Sequence, residues 1–313
     1  GYQGKYDGKR HSIELTTREN CQVRYSLDEK NWSDKKPEIK DVCERECYIR
    51  VLRNKRIEET KVVICIRPRN LKLISKSACK EYDGKSLSSE QIFIAGDGLA
   101  EGDKIFAIAV GKRTLVGKTE NEIQYSFEND RIVENYIVES EVGEITIKDR
   151  KDKYSICLQG KNGDYLYDGY EHQIEGFEKN IFLIEGIHYY VSGIKMYASL
   201  CNAGTIKAEC VGSASVKDES GNDVTSQFNV EIISGILKIN KRSIELVSDS
   251  IEKEYDGSIL SCPKYWINGD GLAVDDKLVV LVESQQLLVG SCENAIRYYF
   301  EKGCMDNYNI KTL

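Results

Sequence analysis

The sequence predicts an all-β protein built as a tandem array of small antiparallel β-sandwich modules. Three observations lead to this prediction. The chain repeats itself at intervals of 76, 85 and 88 residues. Between the repeated points, short apolar strands alternate with clusters of Gly, Asp and Asn, and helical periodicity is almost absent. Repeats of this length are typical of small sandwich modules, whereas the repeats of helical solenoids are shorter.

The repeat is marked by the tripeptide Tyr-Asp-Gly. It occurs four times, at Tyr6-Asp7-Gly8, Tyr82-Asp83-Gly84, Tyr167-Asp168-Gly169 and Tyr255-Asp256-Gly257. We predict a structural turn at each copy, in which glycine supplies a positive φ and aspartate accepts hydrogen bonds from the backbone amides that follow it. The tyrosine ring is expected to pack at the edge of the sandwich core.

The four copies fall into two alternating subtypes. The second and fourth align at a constant offset of 173 residues, which matches Gly96-Asp97-Gly98 with Gly269-Asp270-Gly271. After a gap of one residue, Asn135-Tyr136 matches Asn307-Tyr308. The first and third copies instead share His11 and His172, and we predict that these histidines pack near the start of a strand rather than bind metal or take part in catalysis.

The repeat divides the chain into four predicted modules, which we number 1 to 4: residues 1–70, 71–150, 151–242 and 243–313. Modules 1 to 3 each close on an apolar or alternating strand, at residues 62–66, 143–147 and 235–239. The next module opens almost at once, and linkers this short, without Gly/Ser-rich or Pro-rich character, predict an elongated, semi-rigid array. By the pattern of the repeat, module 1 lacks its opening strand and module 4 its closing strand, so we expect an excised piece of a larger protein.

Composition narrows the classes of function. The net charge is −7 and the pI is near 5.3, which is the wrong sign for binding nucleic acid. Hydrophobic residues make up 41% and charged residues 30%, a balance typical of a folded soluble chain. No apolar run is long enough to span a bilayer and the start has no signal-peptide pattern. We therefore expect no direct membrane insertion by this fragment, with any signal or anchor outside it.

The 11 cysteines do not follow the spacing of a zinc site, and three histidines are too few to complete one, so we predict no metal and no cofactor. Cys262 and Cys292 fall opposite Ser89 and Thr119 of the repeat, which shows that the fold does not require thiols there. We expect mostly unpaired, buried thiols. If Cys43 and Cys47 share a strand, they lie about 13 Å apart, which is too far for a disulfide.

Motifs that could carry chemistry have simpler structural interpretations. The two Gly-Asp-Gly segments could suggest a phosphate or calcium loop, but the central aspartate favours turn glycines. Residues 218–223 have the oxygen density of a calcium loop without the alternation of an EF-hand, and a hydrophilic hairpin turn is favoured. No nucleophile elbow or other catalytic arrangement is present, so we predict no catalytic residues and no enzyme. Lysine–asparagine isopeptide crosslinks remain open, because the sequence does not single out a pair.

Aromatic residues are densest in module 3. Exposed tyrosines suit protein or glycan recognition because they bury much area with few rotors to freeze. The candidate ligand face consists of Tyr165, Tyr170, Tyr189 and Tyr190.

Taken together, the motifs resemble the MBG/YDG-type repeats of bacterial surface proteins. The resemblance rests on the Tyr-Asp-Gly opening, the Gly-Asp-Gly in mid-module, the Asn-Tyr pair and closing strands such as Gly143-Glu144-Ile145-Thr146-Ile147. It covers nearly the whole chain. It implies immunoglobulin-like β-sandwiches that serve as stalks or adhesive regions, and it transfers no catalytic residue. The cysteine content departs from the family, whose repeats are poor in cysteine.

The resemblance implies an extracellular, non-catalytic repeat region on a bacterial cell surface or in a secreted protein. Such a region would act as an adhesin segment or a spacer stalk, and its partner would be a host or cell-wall protein or glycan. Two alternatives stay open: a dedicated binder of a host protein such as an immunoglobulin or a mucin, and accessory modules attached to a surface glycoside hydrolase.

Overall fold

The computed structural model describes residues 1–17 and 21–313, and it divides into two compact units, Gly1–Lys151 and Asp152–Leu313. Strands make up 56% of the chain and helices 4%, which confirms the predicted all-β class. The helical segments of the described ranges are three short 3-10 helices, Asp130–Asn135, Thr225–Gln227 and Met305–Asn307. None of them is long and apolar enough to cross a membrane.

Module 1 forms one four-stranded sheet. Its strands are β1 (Tyr2–Lys5), β2 (Gln22–Ser26), β3 (Cys43–Arg53) and β4 (Arg56–Arg67). The sheet order is β1-β4-β3-β2. The β3–β4 hairpin is its longest ladder and closes on the pair Arg53 and Arg56.

Module 2 contains ten strands in short ladders. They are β5 (Arg69–Ser75), β6 (Ala78–Glu81), β7 (Leu87–Ser88), β8 (Ile92–Gly96), β9 (Ile105–Ala109), β10 (Lys112–Arg113), β11 (Gly117–Asn121), β12 (Ile123–Phe127), β13 (Tyr136–Glu141) and β14 (Gly143–Lys148). The ladders are β13-β5-β8, β11-β14-β6, β12-β9 and β10-β7.

Module 3 is built around one long strand. Its strands are β15 (Tyr154–Gln159), β16 (Gly163–Leu166), β17 (His172–Glu175), β18 (Ile181–Ile184), β19 (Ile187–Leu200), β20 (Gly204–Lys207), β21 (Glu209–Lys217), β22 (Phe228–Ile233) and β23 (Ile236–Asn240). The central strand β19 pairs with β17, β18 and β21, while β15 pairs with β22 and β23 lies between β16 and β20.

Module 4 repeats most of module 2 with fewer strands. They are β24 (Arg242–Ser248), β25 (Leu260–Ser261), β26 (Tyr265–Gly269), β27 (Lys277–Val282), β28 (Gln285–Gln286), β29 (Ile296–Lys302) and β30 (Tyr308–Thr312). Strand β24 lies between β26 and β30, as β5 lies between β8 and β13. No described residue of module 4 forms counterparts of β6 and β14, which pair with each other in module 2.

The ladders are mixed rather than purely antiparallel. The opening strand of a module runs parallel to a late strand, in the pairs β5–β13, β15–β22 and β24–β30. The next strand runs parallel to the closing strand, in the pairs β1–β4, β6–β14 and β16–β23. Parallel pairing needs a long crossover, and here the intervening strands of the module provide it.

The ladders of the described residues follow the predicted modules, except that Arg69, Asn70 and Arg242 pair with strands of the next module. Only Pro68 separates β4 from β5, and only Lys241 separates β23 from β24. Strand pairing therefore changes partners within a residue or two of the predicted boundaries near 70 and 242. The division into four modules itself stays a prediction, because the structure divides into two compact units rather than four.

The buried residues follow the period of two that strands impose. In β5 the buried positions are Leu71, Leu73 and Ser75, and in β14 they are Ile145 and Ile147. The same alternation leaves the intervening residues half-buried or exposed. Two clusters of buried side chains contain residues from adjacent modules, one from modules 1 and 2 and one from modules 3 and 4.

Candidate functional site

The Tyr-Asp-Gly tripeptide forms the same turn at all four copies. Its glycines lie in the left-handed region, with φ of 81°, 71°, 88° and 79° at Gly8, Gly84, Gly169 and Gly257. At each copy the aspartate accepts a hydrogen bond from the amide two residues on, at 2.8 to 3.0 Å. These contacts are those of an Asx turn, in which a side-chain oxygen takes the place of a backbone acceptor.

The aspartates of these turns are held ionised by hydrogen bonds. The pKa of Asp7 lies below its usual range chiefly because His11 hydrogen-bonds its carboxylate. The pKa of Asp168 is lowered mainly by the amide of Tyr170, and His172 also contributes. In each of these two turns, one aspartate carboxylate therefore binds both a backbone amide and a histidine ring.

The tyrosines of the tripeptide do not all have the same surroundings. Tyr6, Tyr82 and Tyr167 are buried, whereas Tyr255 is 64% exposed. The expectation that the ring packs at the edge of a core is therefore wrong for Tyr255. The reason is that residues 249–259 lack the strand that precedes the other tripeptides, since no described strand corresponds to β14 and could pair with it.

The buried rings of Tyr6 and Tyr167 pack against the module that follows. Tyr6 meets Tyr136 edge-on, with ring centroids 5.7 Å apart and planes at 79°. Tyr167 meets Tyr308 at 5.7 Å and 81°. The two contacts have the same geometry, and each joins the end of one module to the core of the next.

An arginine at the start of each following module binds both motifs at once. Arg69 donates from Nε to the carbonyl of Gly98 (3.0 Å), from Nη1 to the carbonyl of Tyr6 (3.1 Å) and from Nη2 to the carbonyl of Asp97. The guanidinium thereby ties the Tyr-Asp-Gly turn of module 1 to the Gly-Asp-Gly loop of module 2.

Arg242 makes the same three bonds between modules 3 and 4. It donates from Nε to Gly271 (2.9 Å), from Nη1 to Tyr167 (2.9 Å) and from Nη2 to Asp270. Charge-assisted bonds of this kind are about twice as strong as neutral ones. The sequence predicts Arg69 as part of a short, solvated basic cluster, Arg67-Pro68-Arg69, and gives no role for Arg242, although the two arginines share the offset of 173 residues that relates modules 2 and 4.

The Gly-Asp-Gly loop is shaped to accept this arginine. Gly96 has φ of 81°, and a Cβ there would lie 2.5 Å from the carbonyl oxygen of Asn70, so no larger residue fits. The Asp97 carboxylate accepts from the Asn70 amide (3.0 Å) and pairs with Lys5 of module 1 (2.7 Å). These contacts agree with the prediction that the glycines of Gly-Asp-Gly form a turn. The Asp97 carboxylate binds a backbone amide and a lysine of the neighbouring module.

The Asn-Tyr pair completes the connection. Asn135 is buried; it accepts from the Val42 amide (2.7 Å) and donates to Asp41 (3.0 Å), both in module 1. The Tyr136 hydroxyl donates to Asp103 (2.7 Å) and accepts from the Ala100 amide (2.8 Å). Burial raises the pKa of Tyr136 well above its usual range, and the hydrogen bond to the Asp103 carboxylate adds to this, while the bond from the Ala100 amide acts in the opposite direction.

The corresponding pair of module 4 makes equivalent bonds. Asn307 accepts from the amide of Ala203 (2.8 Å) and donates to Asn202 (3.0 Å). The Tyr308 hydroxyl donates to Asp276 (2.5 Å) and accepts from the amide of Ala273 (2.9 Å). We call the two assemblies joint 1/2 (Tyr6, Asp41, Val42, Arg69, Asp97, Gly98, Asn135 and Tyr136) and joint 3/4 (Tyr167, Asn202, Ala203, Arg242, Asp270, Gly271, Asn307 and Tyr308).

His11 and His172 pack beside the Tyr-Asp-Gly turns, and His172 begins β17, in agreement with the prediction that it packs near the start of a strand. Nε2 of His11 lies 2.8 Å from Asp7, and its ring stacks on Tyr2 at 4.2 Å. His172 makes the same contact with Asp168 at 3.0 Å and stacks on Tyr165 at 4.1 Å. Their surroundings are those of structural side chains.

The candidate ligand face of module 3 includes one tyrosine that is buried. Tyr189 is only 1% exposed and packs on Phe228 with centroids 4.8 Å apart, so its inclusion was wrong. The alternation of β19 explains this, because Tyr189 points inward and Tyr190 outward. Tyr190 (43% exposed), Tyr170 (59%) and Tyr165 (37%) are accessible, but they lie on β19, after the turn and on β16.

The expectation of mostly buried thiols is also wrong. Only Cys47 and Cys262 are buried, and six cysteines are exposed: Cys79, Cys157, Cys201, Cys210, Cys292 and Cys304. Cys157 illustrates the cause, because it lies between the buried Ile156 and Leu158 on β15 and therefore faces outward. Cys43 and Cys47 do share β3, as the distance estimate assumed.

Residues 218–223 form a turn held by one carboxylate. Asp218 accepts from the amides of Ser220 (2.9 Å) and Asn222 (2.8 Å) and from the Asn222 side chain. A bridge between Lys217 and Asp223 closes the hairpin. Across residues 1–17 and 21–313 no group of three or more His, Cys, Asp or Glu side chains is placed to hold a metal ion.

Comparison with known proteins gives only distant structural likeness. No family model matches the chain, and no curated protein matches it in sequence. Drosophila N-cadherin EC1-3 shares 8% identity over 77% of this chain and 98% of its own, with a TM-score of 0.25. An endo-fucoidan hydrolase of glycoside hydrolase family 107 shares 9% over 75% and 42% (TM-score 0.21), and a three-immunoglobulin-domain piece of titin shares 8% over 76% and 93% (TM-score 0.21).

Proposed function

We propose that this chain is a non-catalytic spacer region of a bacterial surface protein, which holds successive sandwich modules in a fixed order outside the cell and presents binding sites to a host or cell-wall ligand. The observation that carries the proposal is the use of the repeated motifs. Tyr-Asp-Gly, Gly-Asp-Gly and Asn-Tyr meet in joints 1/2 and 3/4. Because the repeated motifs make the contacts between adjacent modules, they support a role in which the modules must be held together in a defined arrangement.

The joints have the physical properties that a spacer needs. A connection of one residue, at Pro68 or Lys241, leaves little freedom between adjacent modules. The arginine satisfies three carbonyls that would otherwise be left in a partly buried interface, and an unsatisfied buried acceptor is costly. The hydrogen bonds fix the relative orientation of the two modules of a joint, and the aromatic contact fixes their separation. A joint therefore resists both bending and separation.

The joint is tested by hydrogen exchange on the intact chain. Replacing Arg69 with alanine removes three donors, and we expect the Val42 amide, which binds Asn135 across joint 1/2, to exchange at least tenfold faster. The matched control is Arg113→Ala, because Arg113 donates only to carbonyls of its own module, those of Val116 and Lys118. Equal protection of Val42 in wild type and Arg69→Ala would contradict the spacer proposal.

The proposed location is tested on cells of the source organism. Antibodies raised against the purified chain are expected to label intact cells. Labelling that appears only after the cells are permeabilised would contradict a surface role.

A further inference from the structure

We propose that module 1 carries a binding site for a neutral saccharide, in a pocket on the outer face of the β3–β4 hairpin. The pocket has a volume of about 310 Å³ and is lined by Glu29, Trp32, Tyr48, Arg50, Glu59, Thr60 and Lys61. This volume is at the lower end of the range seen for small-molecule sites. The site goes beyond the spacer role and does not depend on either joint.

The hairpin places the polar side chains in two facing pairs. Tyr48 lies directly opposite Lys61, and Arg50 directly opposite Glu59, in the register of β3 with β4. Side chains opposite each other on one face of a ladder are close enough to interact. The floor of the pocket is therefore a sheet, which holds binding side chains more precisely than a loop does.

The turn that follows β2 supplies the wall. The Trp32 indole donates to the carbonyl of Glu29 (3.1 Å), which holds the ring beside the hairpin. Glu29 has a backbone φ of 63°, a conformation that residues other than glycine rarely adopt. Asp28 enforces it by accepting from the amides of Lys30 and Asn31. Such residues tend to gather at functional sites.

Arg50 is held in place while its donors stay free. Its guanidinium lies 4.0 Å from the centroid of the Trp32 ring, and its Nε donates to Glu59 (2.6 Å). Within the described residues, its two terminal nitrogens have no hydrogen-bond acceptor. They form a fixed fork of donors at the pocket, and orienting it for a ligand costs little further entropy.

A second group is fixed at the other end of the pocket. Glu46 accepts from the Tyr48 hydroxyl (2.8 Å) and from Lys61 (2.8 Å), one with each oxygen. The hydrogen bond that Tyr48 donates to Glu46, with the Glu29 carboxylate close by as a further cause, raises the pKa of Tyr48 above its usual range, so the phenol stays protonated. Lys61 keeps two further N–H groups for a ligand.

The balance of charges favours a neutral polyol. Two carboxylates, Glu29 and Glu59, line the pocket beside two cations, Arg50 and Lys61. An anion would meet the carboxylates and a cation would meet the basic groups. A sugar hydroxyl both donates and accepts, so it can bind acceptor-only and donor-only groups side by side, and an aromatic ring such as that of Trp32 offers a surface for the apolar face of a pyranose.

The chain offers a direct optical test, because it contains two tryptophans, Trp32 and Trp266. In a Trp266→Phe background, all tryptophan emission comes from the pocket. The full-length variant is titrated with lactose, cellobiose and N,N′-diacetylchitobiose, and wild type is screened on a printed array of neutral glycans. We expect a saturable change of Trp32 emission with at least one neutral saccharide, and weaker or no response to glucuronate and glucosamine.

Calorimetry with the best saccharide then locates the site. Arg50→Ala and Glu59→Gln should each weaken binding at least tenfold. Arg53→Ala is the matched control, since Arg53 lies on the same strand outside the pocket, and it should leave the affinity unchanged. Circular dichroism confirms that each variant is folded.

Three outcomes would overturn the proposal: no binding of any neutral glycan on the array or in the titrations, binding of charged sugars only, or binding that persists in both Arg50→Ala and Glu59→Gln. Arg69→Ala, which opens joint 1/2, is expected to bind the saccharide as wild type does. Failure of this site is thereby distinguished from failure of the spacer proposal.

Discussion

At the scale of single residues, the glycine of Tyr-Asp-Gly resists substitution because of its backbone conformation. Gly84 has φ of 71°, and a β-branched side chain is strained there. We expect Gly84→Val to destabilise module 2 by about 1–3 kcal/mol. Hydrogen exchange of the β14 amides measures this locally, with exposed Lys85→Val as the control. Unchanged protection in Gly84→Val would show that the turn does not need glycine.

The turn aspartates predict a dependence on pH. The folded-state pKa of Asp7 is lowered, chiefly by His11 and also by Lys9. The stability it contributes is therefore complete above the unfolded-state pKa of about 3.9 and is lost as pH falls through the lower folded-state value. Asp7→Asn should be less stable than wild type near neutral pH, and the difference should shrink toward pH 2.

Urea denaturation followed by Trp32 emission, in the Trp266→Phe background, measures this difference within module 1. Asp34→Asn is the control, because Asp34 is an exposed carboxylate of the same module that pairs only with Arg24. A deficit of Asp7→Asn that stays constant from neutral to acid pH would contradict the electrostatic explanation.

What the sequence could predict at this scale was the chemistry of the turn, because glycine and aspartate act through their own backbone. It could not predict the environment of each tyrosine. Tyr6 is buried and Tyr255 is exposed although both precede Asp-Gly, since burial depends on strands far away in the chain. The role of Arg69 could not be predicted for a related reason, as its three acceptors lie 28 to 63 residues away.

At the scale of elements, the alternation of apolar residues located the strands well. The predicted closing strands 62–66 and 143–147 lie within β4 and β14. The direction of pairing could not be predicted, because a period of two specifies which face is buried and not which neighbour a strand takes. The parallel pairs became apparent only in the structure.

The buried face of β14 predicts a large effect of truncation. Ile145 is fully buried, so Ile145→Ala should cost about 2–5 kcal/mol through lost burial and the cavity it leaves. Ile137→Ala on β13, where the side chain is half exposed, is the matched control and should cost much less. Hydrogen exchange of module 2 amides measures the loss of stability in each variant. Equal losses in Ile145→Ala and Ile137→Ala would mean that the assigned buried and exposed faces are wrong.

At the scale of the whole molecule, the repeated motifs form contacts between modules that are not visible in any single module. Within each unit, the end of one module and the loops of the next form the same joint from the same residue types. The sequence showed the period of the repeat and its two subtypes. It could not show that three motifs spread over more than a hundred residues meet at one place, because that meeting depends on the folded sheets that carry them.

The central claim is that Tyr-Asp-Gly connects modules, and a double-mutant cycle on Tyr6 and Tyr136 tests it most directly. Tyr6→Leu, Tyr136→Leu and the double variant are compared by urea denaturation in the Trp266→Phe background, and Tyr25→Leu with Tyr136→Leu serves as the control cycle. An edge-on aromatic pair predicts a coupling of about 0.5–1.5 kcal/mol between Tyr6 and Tyr136, with additive effects in the control. Additive effects for Tyr6 and Tyr136 as well would contradict the claim.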